Sequence, residues 1–213
     1  MKRILFFMLM LVTVAAIAQK QPKPNINKAL KAWQEGKLDE AKQIIDAATT
    51  YEKTMDDGKT WYYRGIIYTS IDTTSNEAFK ALDADPLKVA VESFVKADQM
   101  GKADSEYFLT DANTMLPVTK TQQLEMLANY YLDKGIKKFQ DEGDNQASLE
   151  ALEKSKMVFE KGGMSAYAND TLAYYVTALV AQQDDNADLT IENVNKYFEK
   201  GAKSKDAYII LYQ

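Results

Sequence analysis

The chain has 213 residues, 31 acidic side chains against 26 basic ones, a net charge of −5, no cysteine and no histidine. The missing cysteine excludes disulfides, thiolate metal sites and a cysteine nucleophile, and the missing histidine removes the commonest general base and metal ligand. An acidic balance also disfavours nucleic acid and anionic membrane surfaces, both of which need a basic footprint.

Met1-Lys2-Arg3 is a short basic start, Ile4 to Ile17 is an apolar run interrupted only by Thr13, and Ala16-Ile17-Ala18 is a small-residue cleavage pattern. Residues 1–18 therefore read as a secretory signal peptide, with Gln19 first after cleavage. The alternative, a membrane anchor, asks for roughly 18 apolar residues, more than this run offers. No later segment is apolar enough to span a bilayer, so no membrane span is expected after cleavage. The remainder is still more acidic, and Arg64 is its only arginine. That removes the bidentate chemistry favoured for phosphate and guanine. Residues 19–24 are polar and proline-punctuated, a flexible lead-in.

From about residue 25 the apolar period is helical and no period-two run stands out, so no sheet is expected. The first helix pair is predicted over about 25–35 and 38–50, turning at Gly36-Lys37. The next helix runs over about 58–71. Asp72 to Asp85 reads as an insertion: the loop composition Asp72-Thr73-Thr74-Ser75-Asn76, then one helical turn around Ala78, Phe79 and Leu82. Asp85-Pro86 opens a helix over about 86–100, because Asp caps well and Pro fits the first turn. A short helix is read from Ser105 to Met115, then a longer one over about 119–140. Gly143-Asp144-Asn145 marks a turn, and Gly162-Gly163 ends the helix that follows it. Asp170-Thr171 is read as the cap of a helix over about 171–183. After the polar loop Gln182 to Asp188 comes a partner helix, and Asp206 to Tyr212 begins one more.

Trp61-x-x-x-Gly65-x-x-Tyr68, followed by Ala90-x-x-x-Phe94-x-x-Ala97, resembles the two halves of a tetratricopeptide repeat (TPR), a helix–turn–helix unit of about 34 residues. Small residues at Gly65, Ala90 and Ala97 let two helices approach, and Phe94 fills the space between them. Ala41-x-x-x-Ile45-x-x-Ala48, Ser148-x-x-x-Leu152-x-x-Ser155 and Val194-x-x-x-Phe198-x-x-Gly201 echo the second half, and Ala29, Gly135 and Ala178 take the place of Gly65. The match departs from the family at Arg64, where leucine is preferred. The other units have no tryptophan at the matching place, and the proline that closes each second helix is missing in all of them. The resemblance implies an all-α fold, a TPR-like α-solenoid of antiparallel helix pairs in a right-handed superhelix over 25–213. That span holds about four units and the start of another. Because a solenoid needs a polar end, the apolar Tyr208-Ile209-Ile210-Leu211-Tyr212 suggests either a truncated array or self-association through the C-terminal edge.

In composition the chain is similar to exported TPR proteins of Gram-negative bacteria. That likeness implies a non-catalytic scaffold in the periplasm or cell envelope, or a secreted one, binding a protein or peptide through its concave face. By the resemblance, Lys59, Tyr62, Ile66 and Thr69 in one unit and Leu172, Tyr175 and Leu179 in another would line the groove. Arg64 would either clamp a peptide carboxylate or form a surface ion pair. The tyrosine pairs Tyr62-Tyr63, Tyr130-Tyr131 and Tyr174-Tyr175 leave open an alternative, an aromatic-rich module binding oligosaccharide or another small ligand. No cofactor or metal is expected. Asp184-x-Asn186-x-Asp188 resembles the opening of a calcium loop, but Leu189 stands where that loop needs glycine and Asn195 where it needs glutamate. Asp56-Asp57, Asp141-Glu142 and Asp184-Asp185 fall in turns and helix ends and read as solvated caps. Asn169-Asp170-Thr171 is a glycosylation sequon in form, read as a helix cap.

Overall fold

A computed structural model describes residues 23–100, 109–111, 114–163 and 168–211. The signal peptide, and the lead-in up to Gln21 and Pro22, lie outside the described residues. The fold is all-α. Among the described residues there are ten α-helices: α1 (Ile26–Gln34), α2 (Leu38–Thr50), α3 (Gly58–Thr73), α4 (Glu77–Lys80), α5 (Pro86–Gln99), α6 (Lys120–Lys137), α7 (Asn145–Lys161), α8 (Ala168–Gln183), α9 (Ala187–Glu199) and α10 (Lys205–Leu211). Two-residue strands β1 (Leu109–Thr110) and β2 (Pro117–Val118) pair antiparallel between α5 and α6. Among the described residues no helix is long and apolar enough to cross a membrane.

Local chemistry sets most of these boundaries. Asp57 Oδ1 accepts from Lys59 N at 2.9 Å, and Asp85 Oδ1 accepts from Lys88 N at 3.2 Å ahead of Pro86. Each satisfies an amide that the first turn of a helix leaves without a partner. Thr119 and Gln122 form a reciprocal capping box at the start of α6. At the end of α1, Gly36 takes a left-handed φ of 74°, which lets Lys37 N reach Ala32 O and Gly36 N reach Trp33 O, both at 2.9 Å. The last turn of α6 widens into a π turn over Lys138–Glu142 before Gly143 reverses the chain.

Helices pair in chain order. α1 lies on α2, α3 on α5, α6 on α7 and α8 on α9, while α2 also packs on α3 and α7 on α8. The pairing register is the one the small–large pattern predicts. A Cβ built on Gly65 would stand 2.6 Å from Phe94 Cε1, and one on Gly135 would stand 2.7 Å from Leu152 Cγ. Ala29 and Ala178 are buried in the equivalent places. Ala41, Ile45, Ala48, Ala90, Phe94, Ala97 and Tyr68 are buried as the pattern requires, whereas Trp61 is half-buried at the rim. Its indole N–H donates to Met55 O at 2.7 Å and Lys96 Nζ sits over its ring. The buried apolar side chains form one large cluster, drawn mainly from α1 to α7. Two smaller clusters follow, one between α6, α7 and α8 and one between α8, α9 and α10.

Two readings are corrected. The helix placed over Ser105–Met115 is replaced, where described, by the hairpin of β1 and β2, whose strands are too short to leave a period-two pattern. The helix after Gly163 begins at Ala168, so Asp170 stands inside α8 rather than capping it, and Asn169 is helical too. The single turn expected in the insertion is α4.

Candidate functional site

The residues expected to line a groove do not all reach solvent. Tyr62 is fully buried and Ile66 is 3% exposed, so these two belong to the core, a correction to their assignment as groove wall. The physical reason is the hairpin, which covers this part of α3: the Tyr62 hydroxyl donates to Val118 O at 3.3 Å. Lys59 is half-buried with its ammonium 5.4 Å from the Tyr63 ring centre, and Thr69 is half-buried. In the later unit Leu172 is exposed. Tyr175 packs on Tyr197 with ring centres 5.5 Å apart, and Leu179 joins the small cluster around Val194. The two sets are therefore not brought together as one continuous wall.

Arg64 is held inside the molecule. Its Nε donates to Asp46 Oδ1 at 2.9 Å and its Nη1 to Ser93 Oγ at 3.1 Å. The guanidinium also stands 4.6 Å from the Tyr68 ring centre. Asp46 accepts in addition from the Tyr68 hydroxyl at 2.9 Å and from Lys42 Nζ at 2.9 Å. This network joins α2, α3 and α5 through Arg64. The planar guanidinium offers Asp46 and Ser93 separate nitrogen donors in a fixed fork, a geometry that the flexible point charge of a lysine does not reproduce. Burial pushes the Tyr68 phenol above its ordinary range.

A second network joins α3 to α6. The Tyr131 hydroxyl donates to Asp72 Oδ2 in a short, half-buried contact, with Lys154 Nζ 5.1 Å from the Tyr131 ring centre. Burial raises the Asp72 carboxyl above the usual carboxylate range, and burial together with Asp72 raises the Tyr131 phenol strongly. A third group lies between α7, α8 and α9. Buried Lys156 donates to Asn193 Oδ1 at 2.9 Å and pairs with Glu153 at 2.6 Å, and Tyr174 donates to Glu160. These charges are matched within the fold.

A cleft of about 700 Å³ opens on the first half of the fold. Its walls come from three successive first helices and the inserted pieces: Trp33 and Gln34 of α1, Ser70 and Thr73 of α3, and Gln123 and Met126 of α6. Phe79 of α4 and Leu109, Thr110, Asp111 and Val118 of the hairpin close it. Trp33 is fixed there by its indole N–H, which donates to Ser70 Oγ at 2.7 Å. The lining is apolar with neutral hydrogen-bonding groups, and among the described residues its one charged side chain is Asp111. Motif reading missed this site because the hairpin that builds it has no repeat signature; the loop composition of 72–76 was the only local signal.

Three of the loop side chains have structural roles. Asp57 caps α3, Asn186 caps α9 and Asp184 accepts from Asn145 Nδ2 at 2.6 Å. Among the described residues no group of three acidic side chains is placed to hold a metal ion. Comparison of the chain with protein-family models, with characterised proteins and with solved structures returns no match.

Proposed function

We propose that this chain is an exported, TPR-like helical-repeat scaffold of the cell envelope, which holds a segment of another protein in the cleft between its first helices. The observation that carries the reading is the origin of the cleft wall, to which α1, α3 and α6, the first helices of three consecutive pairs, each contribute side chains. In a right-handed superhelix of such pairs the first helices line the concave side. An apolar floor with neutral polar groups around it suits an extended segment, which brings its own backbone donors and acceptors and one or two apolar side chains. The role is binding rather than catalysis: the charged clusters are spent on packing between helices. The glycan alternative has less behind it at this cleft, since Tyr62 and Tyr63 are buried and no tyrosine is among the described lining residues, while Tyr130 is exposed elsewhere.

The test is site-specific photo-crosslinking in cells, with the photoreactive side chain at Gln123 in the cleft or at exposed Glu92 on α5. A discrete partner adduct from Gln123 and none from Glu92 supports the reading. Identical patterns at both positions sink it. N-terminal sequencing of the exported protein tests cleavage before Gln19.

A further inference from the structure

The cleft has a lip. Asp111 N donates to Leu116 O at 2.9 Å and Met115 N donates to Asp111 O at 2.9 Å. The Asp111 carboxylate accepts from Thr114 N at 2.7 Å and from Thr114 Oγ1 at 2.9 Å. This bonded turn holds Met115 in a left-handed conformation with φ of 57°, which is uncommon for any residue other than glycine. The result is that Met115 and Leu116 face outward, 73% and 63% exposed, although both are apolar. Met126 on α6 is 57% exposed. It shares with Leu116 a hollow of about 440 Å³ that also takes in Glu125. Asp111, Val118 and Met126 line both this hollow and the cleft, so the two adjoin and are treated together as a trough.

Two properties of the trough choose its occupant. Methionine and leucine side chains held in water by a braced turn form an apolar contact surface, and methionine adapts to varied side chains. The charged side chains along the described trough are Asp111 and Glu125, with no lysine or arginine among the lining residues. The geometry points to a partner segment that combines apolar side chains with lysine or arginine, seated against the Met115–Leu116–Met126 lip. An acidic segment or a free C-terminal carboxylate would bring like charge to Asp111 and Glu125. This deepens the scaffold reading and rests on it.

The experiment pans a phage-displayed library of short random peptides against the exported chain. A selected peptide is then titrated by fluorescence anisotropy against Met126→Ser, Leu116→Ser and Glu125→Lys variants, each checked for an unchanged thermal melt. Selected peptides should be rich in Leu, Ile or Phe with Lys or Arg. Met126→Ser and Glu125→Lys should each weaken binding about tenfold, the scale of a single lost contact of this kind. Raising the salt should weaken wild-type binding too, a readout that needs no variant. Acidic peptides, no selected peptide, or binding indifferent to salt and to all three variants would overturn the lip. If crosslinks from Gln123 persist in those cases, the scaffold reading stands without it; if they vanish as well, both fall.

Discussion

The Tyr131 hydroxyl meets the Asp72 carboxylate across 59 residues of chain and ties the end of α3 to the middle of α6. The pair links two helix hairpins, α3 with α5 and α6 with α7, and Asp72 is also the first residue of the insertion between α3 and α5. Tyr131→Phe removes the donor and leaves a half-buried carboxylate without it. We expect a loss of about 1–3 kcal/mol, read as a lower urea midpoint with an unchanged slope.

The same pair sets a pH dependence with opposite consequences at its two ends. Tyr131 has a raised phenol in the folded chain, so its stabilising effect is complete below about pH 10 and is lost as the pH climbs above that. Asp72 is also raised, so its favourable contribution lies below its unfolded value of 3.8 and is lost as the pH rises through the folded value. At neutral pH it is therefore a cost. Urea melts of Tyr131→Phe should show a flatter alkaline limb than wild type. Asp72→Asn should gain stability relative to wild type between about pH 4 and pH 7.

Gly65 is a test of the helix-pairing register. Its missing Cβ leaves room for the Phe94 ring at a separation of 2.6 Å that no side chain could share. Gly65→Ala should cost about 1–3 kcal/mol and Gly65→Leu more, by thermal melt. Gly135→Ala should behave alike against Leu152, and the two losses should add because the contacts are separate. A melt unmoved by Gly65→Leu would count against the register.

Arg64→Lys keeps the charge but loses the fixed fork that gives Asp46 and Ser93 separate nitrogen donors. The site is partly open to solvent, so the expected cost is modest, about 1 kcal/mol. In a double-mutant cycle with Asp46→Asn, the two changes should couple and fall short of additivity.

Much of the fold was legible because capping residues and helix period agree. Asp57, Asp85-Pro86, Thr119 and Asp144 each stand where a helix begins, and the small residue of each first helix stands opposite the large residue of its partner. The site was less legible. The resemblance supplied an open groove wall at Tyr62 and Ile66, but the hairpin at 109–118 lies over Tyr62, and a two-residue strand carries no readable alternation. Arg64 gave a true signal that pointed inward: a lone arginine on a packing helix marked an internal bridge. Met115, Leu116 and Met126 are unremarkable as letters, and only their exposure makes them a surface.

The division of the core into one large cluster and two small ones has a consequence for cooperativity. The last helices, α9 and α10, are secured by few buried apolar side chains: Val194, Ala207 and Ile210 join only Ala178 in their own cluster. Amide protons there should exchange through local opening well below the free energy of global unfolding, while those of α3 and α5 should approach it. A segment seated in the trough touches only elements of the first cluster and the hairpin. It should slow exchange in α1, α3 and α6 and leave α10 fraying as before, so that occupancy is recorded as a gradient of protection along the chain.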